Sequence, residues 1–515
     1  MTTVNRRQLL ASMGAAGLLR PAATATEMKG KYFESAKLFV DTMVEKGTDR
    51  YGKKHTPLFC LSLDPETYTP PRAPEKIDMQ YARSFEYLYR DFGYYWKSHL
   101  HSADPIYDQG TIRALYALSD AGAGAKYSKH ADSYLDFFLN NMVSEQTGHF
   151  GWGEHVFYNV FLDHLIGGAF TVRNSRNFSF EHELERWTTI YDLTWEKDKQ
   201  KTYNEIEAIY EYKIHDPETF INNRHSDYFA GRRTSDTLTF IKHSGLFTHA
   251  WSFLYSKTGD QKHLGWAKKA ADLFWGFRDP KTDLVRGCLQ RKDEPVAPEE
   301  LAQLILFLFR AYQWHPEQQY ADRGIAYLDA YQKYFSLGGG KFRKVVKTDG
   351  TDQMPGETAE YWEAPIRMAK AAVLAYSLTG HKPALELAST VADHLSAEMT
   401  FPTIIQRSLV SDEVEARGCA MSSVIDLYEV TGDKKFFQKA QSLADDAIKR
   451  FQYRGLYVSS MQLTPEGDKT KRTRVYDGRS GAGWLALNLI RLQRNTDNTA
   501  AGTFRKKDRL DRIYD

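Results

Sequence analysis

Apolar residues recur along the chain in a helical-hairpin pattern. Segment 251–275, WSFLYSKTGDQKHLGWAKKAADLFW, predicts an apolar helix, a tight turn with a glycine, and a second helix whose Ala, Leu and Phe residues share one face. Segments 371–395 and 422–448 repeat this pattern, and fainter copies lie at 308–335 and 115–139. Because such a unit cannot bury its apolar face alone, repeated units are expected to stack against one another.

The tyrosines that precede the turns give the length of the repeat. Tyr255, Tyr312, Tyr376 and Tyr428 are separated by 57, 64 and 52 residues, which is one hairpin with its connection per step. A repeat of about 57 residues leaves room for about eight units in the mature chain. Excluding the long polar insertions, we expect six or seven hairpins.

Repeated helical hairpins either close into a ring or stack into an open solenoid. The connections are long, glycine-rich and aromatic, as is typical of loops gathered at the mouth of a barrel, and this favours the ring. We therefore predict an all-α protein in which residues 26–515 form a single (α/α) toroid of six to seven hairpins. An open solenoid of binding repeats is the alternative. The strand-like stretches 342–348 and 455–464 predict short β-hairpins on the rim.

The N-terminal segment resembles a twin-arginine export signal. Arg6 and Arg7 precede an uncharged run from Gln8 to Leu19, and small residues near Ala25 offer a cleavage site. No other run approaches the length of about 20 apolar residues that spans a bilayer. We expect residues 1–25 to be removed and the mature protein to be periplasmic or secreted; a frayed helix with two chance arginines is the alternative.

Composition and charge narrow the function classes. The 515 residues are 42% hydrophobic and 14% aromatic, which is enough for a substantial core. The formal net charge of +2, from 68 basic and 66 acidic residues, argues against nucleic acid or a membrane surface as a partner. The three cysteines are far apart and show no spacing typical of a metal site, so buried thiols are expected.

Three polar segments carry the candidate chemistry: 148–159 (GHFGWGEHVFYN), 180–187 (FEHELERW) and 220–233 (FINNRHSDYFAGRR). Imidazole and carboxylate groups together make a competent ligand set for a divalent transition metal, and three protein ligands leave positions open for substrate. His155, Glu183 and His225 would be one such set.

Each of these residues also has a purely structural interpretation. His155 follows a Gly-Trp-Gly turn and could be a hydrogen-bonded loop histidine. Glu183 would lie in the first turn of a helix that begins after Ser179, where acidic residues complement the helix dipole. Arg224 and His225 could be a solvated pair on an irregular loop. His155 and His164 do not form a short zinc motif, since a separation of nine residues places them on opposite sides of a helix.

In combination, the motifs resemble a known family. Their order along the chain is GWGEH (151–155), HEL (182–184), YDLTW (191–195), IHDPETF (214–220) and NNRH (222–225). This order, and the 41-residue step from Glu183 to Arg224, is similar to polysaccharide lyase family 2, the periplasmic pectate lyases built on an (α/α) barrel. The resemblance covers about residues 148–290.

The resemblance implies a reaction and its residues. His155, Glu183 and His225 would hold a divalent transition metal such as Mn, Co or Ni, and Arg224 would be the catalytic base. The implied reaction is β-elimination on a uronic acid, in which the metal binds the C-6 carboxylate and the glycosidic oxygen on C-4 leaves. A cation at the carboxylate is chemically reasonable, since charge that develops at C-5 delocalises onto that group.

Arginine is an unusual base. Its guanidinium has a pKa above about 12, so the neutral form is scarce. A metal held by the neighbouring His225 would disfavour a second positive charge, which lowers the pKa of Arg224. The alternative is that Arg224 clamps the substrate carboxylate while a tyrosine or histidine accepts the proton.

An acidic sugar also needs partners along the binding site. Arginine forks suit carboxylates, and aromatic rings stack on sugars. The predicted substrate-binding residues are Arg232, Arg233, Lys242, His243, Tyr361 and Trp362. Each has a plain alternative as a solvated surface charge or an aromatic residue of the core.

We therefore expect an exported, monomeric lyase that acts on polyuronate, such as pectate or oligogalacturonate. One alternative is a glycoside hydrolase on the same ring, with two carboxylates supplied by SDEVEAR (411–417) and GETAEYWE (356–363). The other is a helical-repeat carbohydrate-binding protein without catalysis.

Overall fold

A computed structural model of the 515-residue chain shows the architecture. It describes residues 28–70, 101–153, 156–167, 181–184, 190–229, 238–359, 364–400, 403–405, 408–410, 414–461 and 473–497. All structural statements below concern these residues.

Within this part of the chain, fourteen α-helices dominate. They are α1 (Lys31–Thr42), α2 (Pro105–Leu118), α3 (Lys126–Asn141), α4 (Tyr191–Lys197), α5 (Lys199–Lys213), α6 (Ile241–Thr258), α7 (Gln261–Phe277), α8 (Pro298–Trp314), α9 (Gln318–Phe335), α10 (Ala364–Thr379), α11 (Lys382–His394), α12 (Val414–Thr431), α13 (Lys434–Phe451) and α14 (Ala482–Asp497).

The helices form two concentric layers. The inner layer is α2, α4, α6, α8, α10, α12 and α14, and each inner helix packs against an outer one: α3, α5, α7, α9, α11, α13 and, for α14, the N-terminal α1. The described residues thus form seven helical pairs, which confirms the predicted (α/α) toroid of six to seven hairpins.

Burial separates the two layers. In α8 the side chains from Leu301 to Ala311 are buried without a break, because neighbouring helices surround an inner helix. The outer helix α13 is amphipathic instead. It buries Phe436, Ala440, Leu443, Ala444, Ala447 and Phe451, at the spacing of a single face.

The turns between paired helices explain the repeated sequence pattern. The glycine after α6, Gly259, has φ 72° and donates its N–H to the carbonyl of Tyr255 at 2.8 Å. This left-handed helix end favours glycine because other residues meet a steric penalty there. The same bond joins Gly380 to Tyr376 and Gly432 to Tyr428, each at 2.8 Å. Three of the four tyrosines that define the repeat therefore accept the turn hydrogen bond, whereas the turn after Tyr312 has no glycine and is closed by His315 N–H and the carbonyl of Ala311.

The ring closes where α14 packs on α2. Gly110 and Gly483 let these two backbones approach closely, and a Cβ added at Gly110 would lie 2.5 Å from the backbone nitrogen of Trp484. The short helix α4 lies between α2 and α6: Asp192 forms an ion pair with Arg113 at 2.9 Å, and its neighbour Tyr191 stacks on Phe253 with ring centroids 6.1 Å apart.

Short strands join the connections. They are β1 (Ser62–Leu63), β2 (Ser102–Ala103), β3 (Val156–Asn159), β4 (His164–Gly167), β5 (Glu181–Glu183), β6 (His225–Asp227), β7 (Ser336–Gly338), β8 (Lys341–Phe342), β9 (Thr403–Ile405), β10 (Ser408–Val410), β11 (Gln452–Tyr453), β12 (Leu456–Tyr457), β13 (Ser459–Met461) and β14 (Thr473–Asp477). All the pairings are antiparallel: β1-β14-β13 and β2-β3-β4 are three-stranded, and β5-β6, β7-β8, β9-β10 and β11-β12 are two-stranded.

Two local predictions from the sequence are wrong. Glu183 lies in strand β5 and not in the first turn of a helix, because the backbone of 181–183 pairs with β6. The stretch that contains His164 is not helical either, since β3 and β4 pair as a hairpin. In both places, pairing with a distant or neighbouring strand overrides the local pattern.

The described residues include no helix long and apolar enough to cross a membrane.

The close contact between α14 and α2 predicts that a glycine-to-alanine substitution destabilises the protein there but not on an outer helix. We expect Gly483→Ala to lower the free energy of unfolding by about 1–3 kcal/mol or more, since the new Cβ would overlap the backbone at Thr111. Gly265→Ala in the outer helix α7 is the matched control: a Cβ there meets open space, so improved helix propensity should stabilise by up to about 1 kcal/mol. Chemical denaturation measures both, and equal effects would contradict this packing.

Candidate metal centre

The candidate site is built on the two-stranded ribbon β5–β6. In its antiparallel register Glu181 faces Asp227, His182 faces Ser226, and Glu183 faces His225. Two of the three predicted metal ligands, Glu183 and His225, are therefore direct cross-strand partners although 42 positions separate them in the sequence. Opposed residues in an antiparallel pair have Cβ atoms about 4.5–5.5 Å apart, close enough for a shared ligand.

Arg224 and His225 lie where β6 begins. The imidazole of His225 is buried, with 2% of its surface exposed, and its Nε2 is 3.0 Å from Nε of the half-buried Arg224. The same Nε lies 3.5 Å from Nδ1 of this ring, so the guanidinium lies across the imidazole and is close to both of its nitrogens. The Arg224 guanidinium also lies 5.7 Å from the ring centroid of Phe240.

The other predicted site residues are only partly described. For Glu183 the structure describes the backbone, and His155, Arg232, Arg233, Tyr361 and Trp362 lie outside the described residues. Their predicted roles stay predictions.

Lys242 and His243 both lie in the first turn of α6, next to Phe240. Lys242 is half-buried, and its Nζ is 5.9 Å from the Phe240 ring. His243 is fully buried and packs between Phe240 and Phe247, with ring centroids 6.1 and 5.9 Å away. As placed, only Lys242 has accessible surface to offer a substrate.

A second cluster, on the other side of the ribbon, is centred on Glu205 of α5. Its Oε1 is 2.8 Å from Nε2 of His182, and its Oε2 accepts the Phe150 N–H at 2.8 Å and lies 3.2 Å from Nδ1 of His149. Nε2 of His149 is in turn 2.8 Å from the hydroxyl of Ser226. We refer to His149, His182, Glu205 and Ser226 as the inner network; all four residues are buried.

The inner network has a defined proton arrangement. Because an ionised carboxylate only accepts, Nδ1 of His149 donates to Glu205, and Nε2 accepts from Ser226. Burial is the main cause that lowers the pKa of His149 to about 3, and the nearby His182 adds to it. His149 is therefore neutral at physiological pH. Its ring stacks on that of His182 with centroids 4.0 Å apart.

His149, His182 and Glu205 are also a possible His/Glu site for a metal. One ligand atom from each lies within 4.8 Å of the others, and all three residues are buried. Their nitrogen and oxygen atoms suit a divalent transition metal. In the structure, however, both nitrogens of His149 and both oxygens of Glu205 take part in the hydrogen bonds described above.

Sequence analysis missed the inner network, although a signal for it exists. In α5 the buried residues include Thr202, Glu205, Ile209 and Lys213, which follow the helical spacing of one apolar face. Two charged residues on a core-facing stripe indicate buried partners, because an isolated charge is costly to bury. His182 was noted only as part of the HEL motif.

Comparisons with known proteins confirm the resemblance to pectate lyases. The sequence model of the family described as periplasmic pectate lyase matches residues 98–301, which include His155, Glu183, Arg224 and His225. A pectate disaccharide-lyase of Dickeya dadantii (strain 3937) is 25% identical over 198 residues. That match covers 34% of this chain and 35% of the relative, so the chain is matched to about a third of the relative's length.

A different family matches the second half of the chain. The sequence model of the β-L-arabinofuranosidase GH127 catalytic domain matches residues 289–477. This segment includes helices α8 to α13. It overlaps the pectate lyase match only at residues 289–301.

Solved structures that resemble the fold are distant. A cellobiose 2-epimerase from Bacillus thermoamylovorans B4167 is 12% identical, with a TM-score of 0.46 over 90% of this chain and 99% of that one. A family 76 glycoside hydrolase from a bovine Bacteroides thetaiotaomicron strain is also 12% identical, with a TM-score of 0.45 over 91% and 79%. These scores are too low to carry a functional inference, and the toroid rests on the helix contacts described above.

The buried neutral His149 predicts a pH-dependent stability. In the unfolded chain a histidine titrates near pKa 6.5, but in the fold the pKa of His149 is lowered to about 3. As pH falls below about 6.5, the unfolded chain takes up a proton that the folded protein excludes, so stability falls. The expected loss from this group is at most about 1.4 kcal/mol per pH unit between about pH 6 and pH 4.

Chemical denaturation across this pH range checks the prediction. His149→Asn keeps a donor towards Glu205 but cannot titrate, so its plot of unfolding free energy against pH should be flatter than that of the wild type. Parallel plots would show that His149 is not the proton-excluding group.

Proposed function

We propose that this protein is an exported, metal-dependent lyase that cleaves polyuronate, of the pectate or oligogalacturonate kind, by β-elimination. The observation that carries the proposal is the β5–β6 register, in which Glu183 and His225 are partners and Arg224 adjoins His225. The segment that matches the pectate lyase family contains this ribbon. The match to a pectate disaccharide-lyase supports the same enzyme class and an acidic polysaccharide as substrate.

The residues of the ribbon fit a divalent metal. A carboxylate and an imidazole at paired positions form two-thirds of the proposed ligand set, and His155 would complete it. A divalent metal bound there would supply positive charge to the C-6 carboxylate of a uronic acid and so stabilise the charge that develops at C-5. The metal's identity stays open among Mn, Co, Ni and similar ions.

The ribbon fits this role better than the inner network. Arg224, the proposed base, contacts the ring of His225. The potential ligands of the inner network lie on the other side of the ribbon, where both nitrogens of His149 and both oxygens of Glu205 already take part in hydrogen bonds. A metal that must contact substrate needs an open coordination position.

In the proposed reaction, Arg224 accepts the proton from C-5 of the sugar. The electrons of the C-5–H bond form a C-4=C-5 double bond, and the C-4–O bond breaks with its electrons on the leaving oxygen, which is then protonated. If Arg224 instead clamps the carboxylate, its side chain still has to lie beside the metal ligands.

The surroundings favour an anionic substrate. Lys242 is half-buried in the first turn of α6, and a helix N-terminus adds positive potential there. Arg232 and Arg233, predicted to bind further carboxylates, follow β6 in the sequence. Tyr361 and Trp362 stay candidates for stacking on a sugar. The twin-arginine segment supports export, in keeping with the periplasmic description of the matched family.

A glycoside hydrolase is the second candidate function. It is favoured by the GH127 match over residues 289–477 and by Glu415, a carboxylate in the first turn of α12 with 9% of its surface exposed. Nη2 of Arg367 lies 3.5 Å from this carboxylate. A hydrolase would need a second carboxylate across the bond, and it would give no unsaturated product.

Chelation separates the candidates. We expect purified protein to release an unsaturated product from polygalacturonate or another uronic-acid polymer, to lose this activity with a chelator, and to regain it with added Mn²⁺, Co²⁺ or Ni²⁺. Ultraviolet absorbance follows the product, and reducing-end release without that absorbance would support the hydrolase. Binding without turnover on every polymer would support a carbohydrate-binding protein and contradict the lyase.

The role of His225 is tested by its own variant. His225→Ala should lower metal affinity and activity because it removes a ligand of the proposed set. His381→Ala is the matched control, since His381 pairs with Asp329 on the outer helices at 2.8 Å. Equal metal affinity in the two variants, measured by isothermal titration calorimetry, would exclude His225 as a ligand.

The proposed base predicts a loss of turnover without loss of fold. Arg224→Ala should lower kcat by about 10²–10⁴-fold, the contribution typical of a positioned proton acceptor. Arg323→Ala, which removes an ion pair with Asp272 between outer helices, is the control and should leave kcat unchanged. If Arg224→Ala keeps its kcat while it folds normally, another group removes the proton.

A further inference from the structure

The inference concerns the inner network and rests on the proposed function. We propose that Glu205 is a positioning residue for the metal centre: its buried carboxylate fixes the three chain segments that carry the proposed ligands. Glu205 would not bind metal or substrate. It would act through the backbones on either side of the ribbon.

Glu205 contacts two of the ligand-bearing segments directly and reaches the third through His149. The contacts with His149 and Phe150 hold the chain just before His155. The contact with His182 holds the residue next to Glu183. The connection to the third segment is indirect: His149 is hydrogen-bonded to Ser226, the residue next to His225. One carboxylate on a rigid helix thus joins segments that are far apart in the sequence.

Strand geometry explains why neighbours of the ligands, and not the ligands themselves, make these contacts. Successive residues of a strand lie on opposite faces. His182 and Ser226 are register partners on the face towards α5, so positions 183 and 225 share the opposite face. Anchoring the first pair therefore fixes the rotation and separation of the second pair.

Lys213 lies on the same helix, two turns after Glu205, and also forms hydrogen bonds with the ribbon. Its buried Nζ donates to the carbonyl of His182 at 2.6 Å and to the carbonyl of Arg224 at 3.0 Å. The first carbonyl lies in β5 and the second belongs to the residue just before β6, so they adjoin Glu183 and His225. Glu205 and Lys213 of α5 therefore hold both sides of the ribbon in place through hydrogen bonds.

The groups around Glu205 require a carboxylate, because both of its oxygens are in hydrogen-bond contact. Oε2 accepts a backbone N–H and a ring N–H, while Oε1 contacts a further ring nitrogen. An amide in place of the carboxylate keeps one acceptor only. In Glu205→Gln, either the Phe150 N–H loses its acceptor or the amide NH₂ faces His182, which must then change tautomer. A buried donor without an acceptor is costly, so the segments are expected to shift.

The test is the affinity of the full-length, chelator-treated protein for Mn²⁺, measured by isothermal titration calorimetry. We expect Glu205→Gln to weaken Mn²⁺ binding by about 10- to 100-fold, the range found when groups that orient metal ligands are removed. Excess Mn²⁺ should restore much of the kcat of Glu205→Gln, because the ligands and the base are still present. A merely structural role would lower thermal stability without this dependence on metal.

Glu207→Gln is the matched control. Glu207 lies on the same helix and its carboxylate also pairs with a histidine, His263, but on the outer side against α7. It should bind Mn²⁺ as the wild type does. Equal Mn²⁺ affinity of folded Glu205→Gln and Glu207→Gln would overturn the positioning role and leave the lyase proposal intact.

Further variants resolve the remaining outcomes. If Glu205→Gln does not fold, Ser226→Ala is the deciding variant, since it removes only the hydroxyl bonded to His149. A weaker Mn²⁺ affinity of Ser226→Ala supports the proposal, and an unchanged affinity overturns it.

If Glu205→Gln abolishes Mn²⁺ binding while His225→Ala binds normally, Glu205 is itself a ligand and the proposal is wrong. A wild type that neither binds Mn²⁺ nor cleaves any polyuronate would overturn the proposed function, and the positioning role with it.

Discussion

The proposed site depends on three pairs of residues in antiparallel register, Glu181–Glu183 against His225–Asp227. This pairing brings Glu183 opposite His225 and places Arg224 immediately before the strand that begins at His225. It also divides the chemistry of the ribbon between two faces. The inner face meets a buried hydrogen-bond network on α5, and the other face carries the residues proposed to bind metal.

The toroid gives this short ribbon a stable support. A two-stranded ribbon of this size is marginal alone in water. Here α5 backs the ribbon, and the closely packed inner helices hold the ring in a single arrangement. The residues of the ribbon lie on connections between helices, in keeping with the tendency of binding residues to occupy loops on a rigid scaffold. Sites that are tied to rigid elements can keep the short distances that metal ligation needs.

The sequence predicts the periodic part of this structure well and the long-range part poorly. The helical hairpins follow from local signals, since in three of the turns the tyrosine carbonyl and the glycine N–H that bond to each other lie four residues apart. Glu183 was predicted to lie in a helix because an acidic residue after a serine is a local helix-start signal, whereas its strand depends on pairing 42 positions away. Residue chemistry offered His155, Glu183 and His225 only as one possible ligand set, and the resemblance to a family singled them out. Glu205 was missed because its only signal, a charged residue at a core-facing position of α5, does not identify its partners, which are donors from 149, 150 and 182.

The central claim is that the metal lies on the face of the ribbon that carries Glu183 and His225. An anomalous difference map from crystals soaked in Mn²⁺ tests it most directly. The account predicts a peak within bonding distance of both the Glu183 carboxylate and the His225 imidazole, with the hydrogen bonds of Glu205 intact. A peak among His149, His182 and Glu205 instead would contradict it.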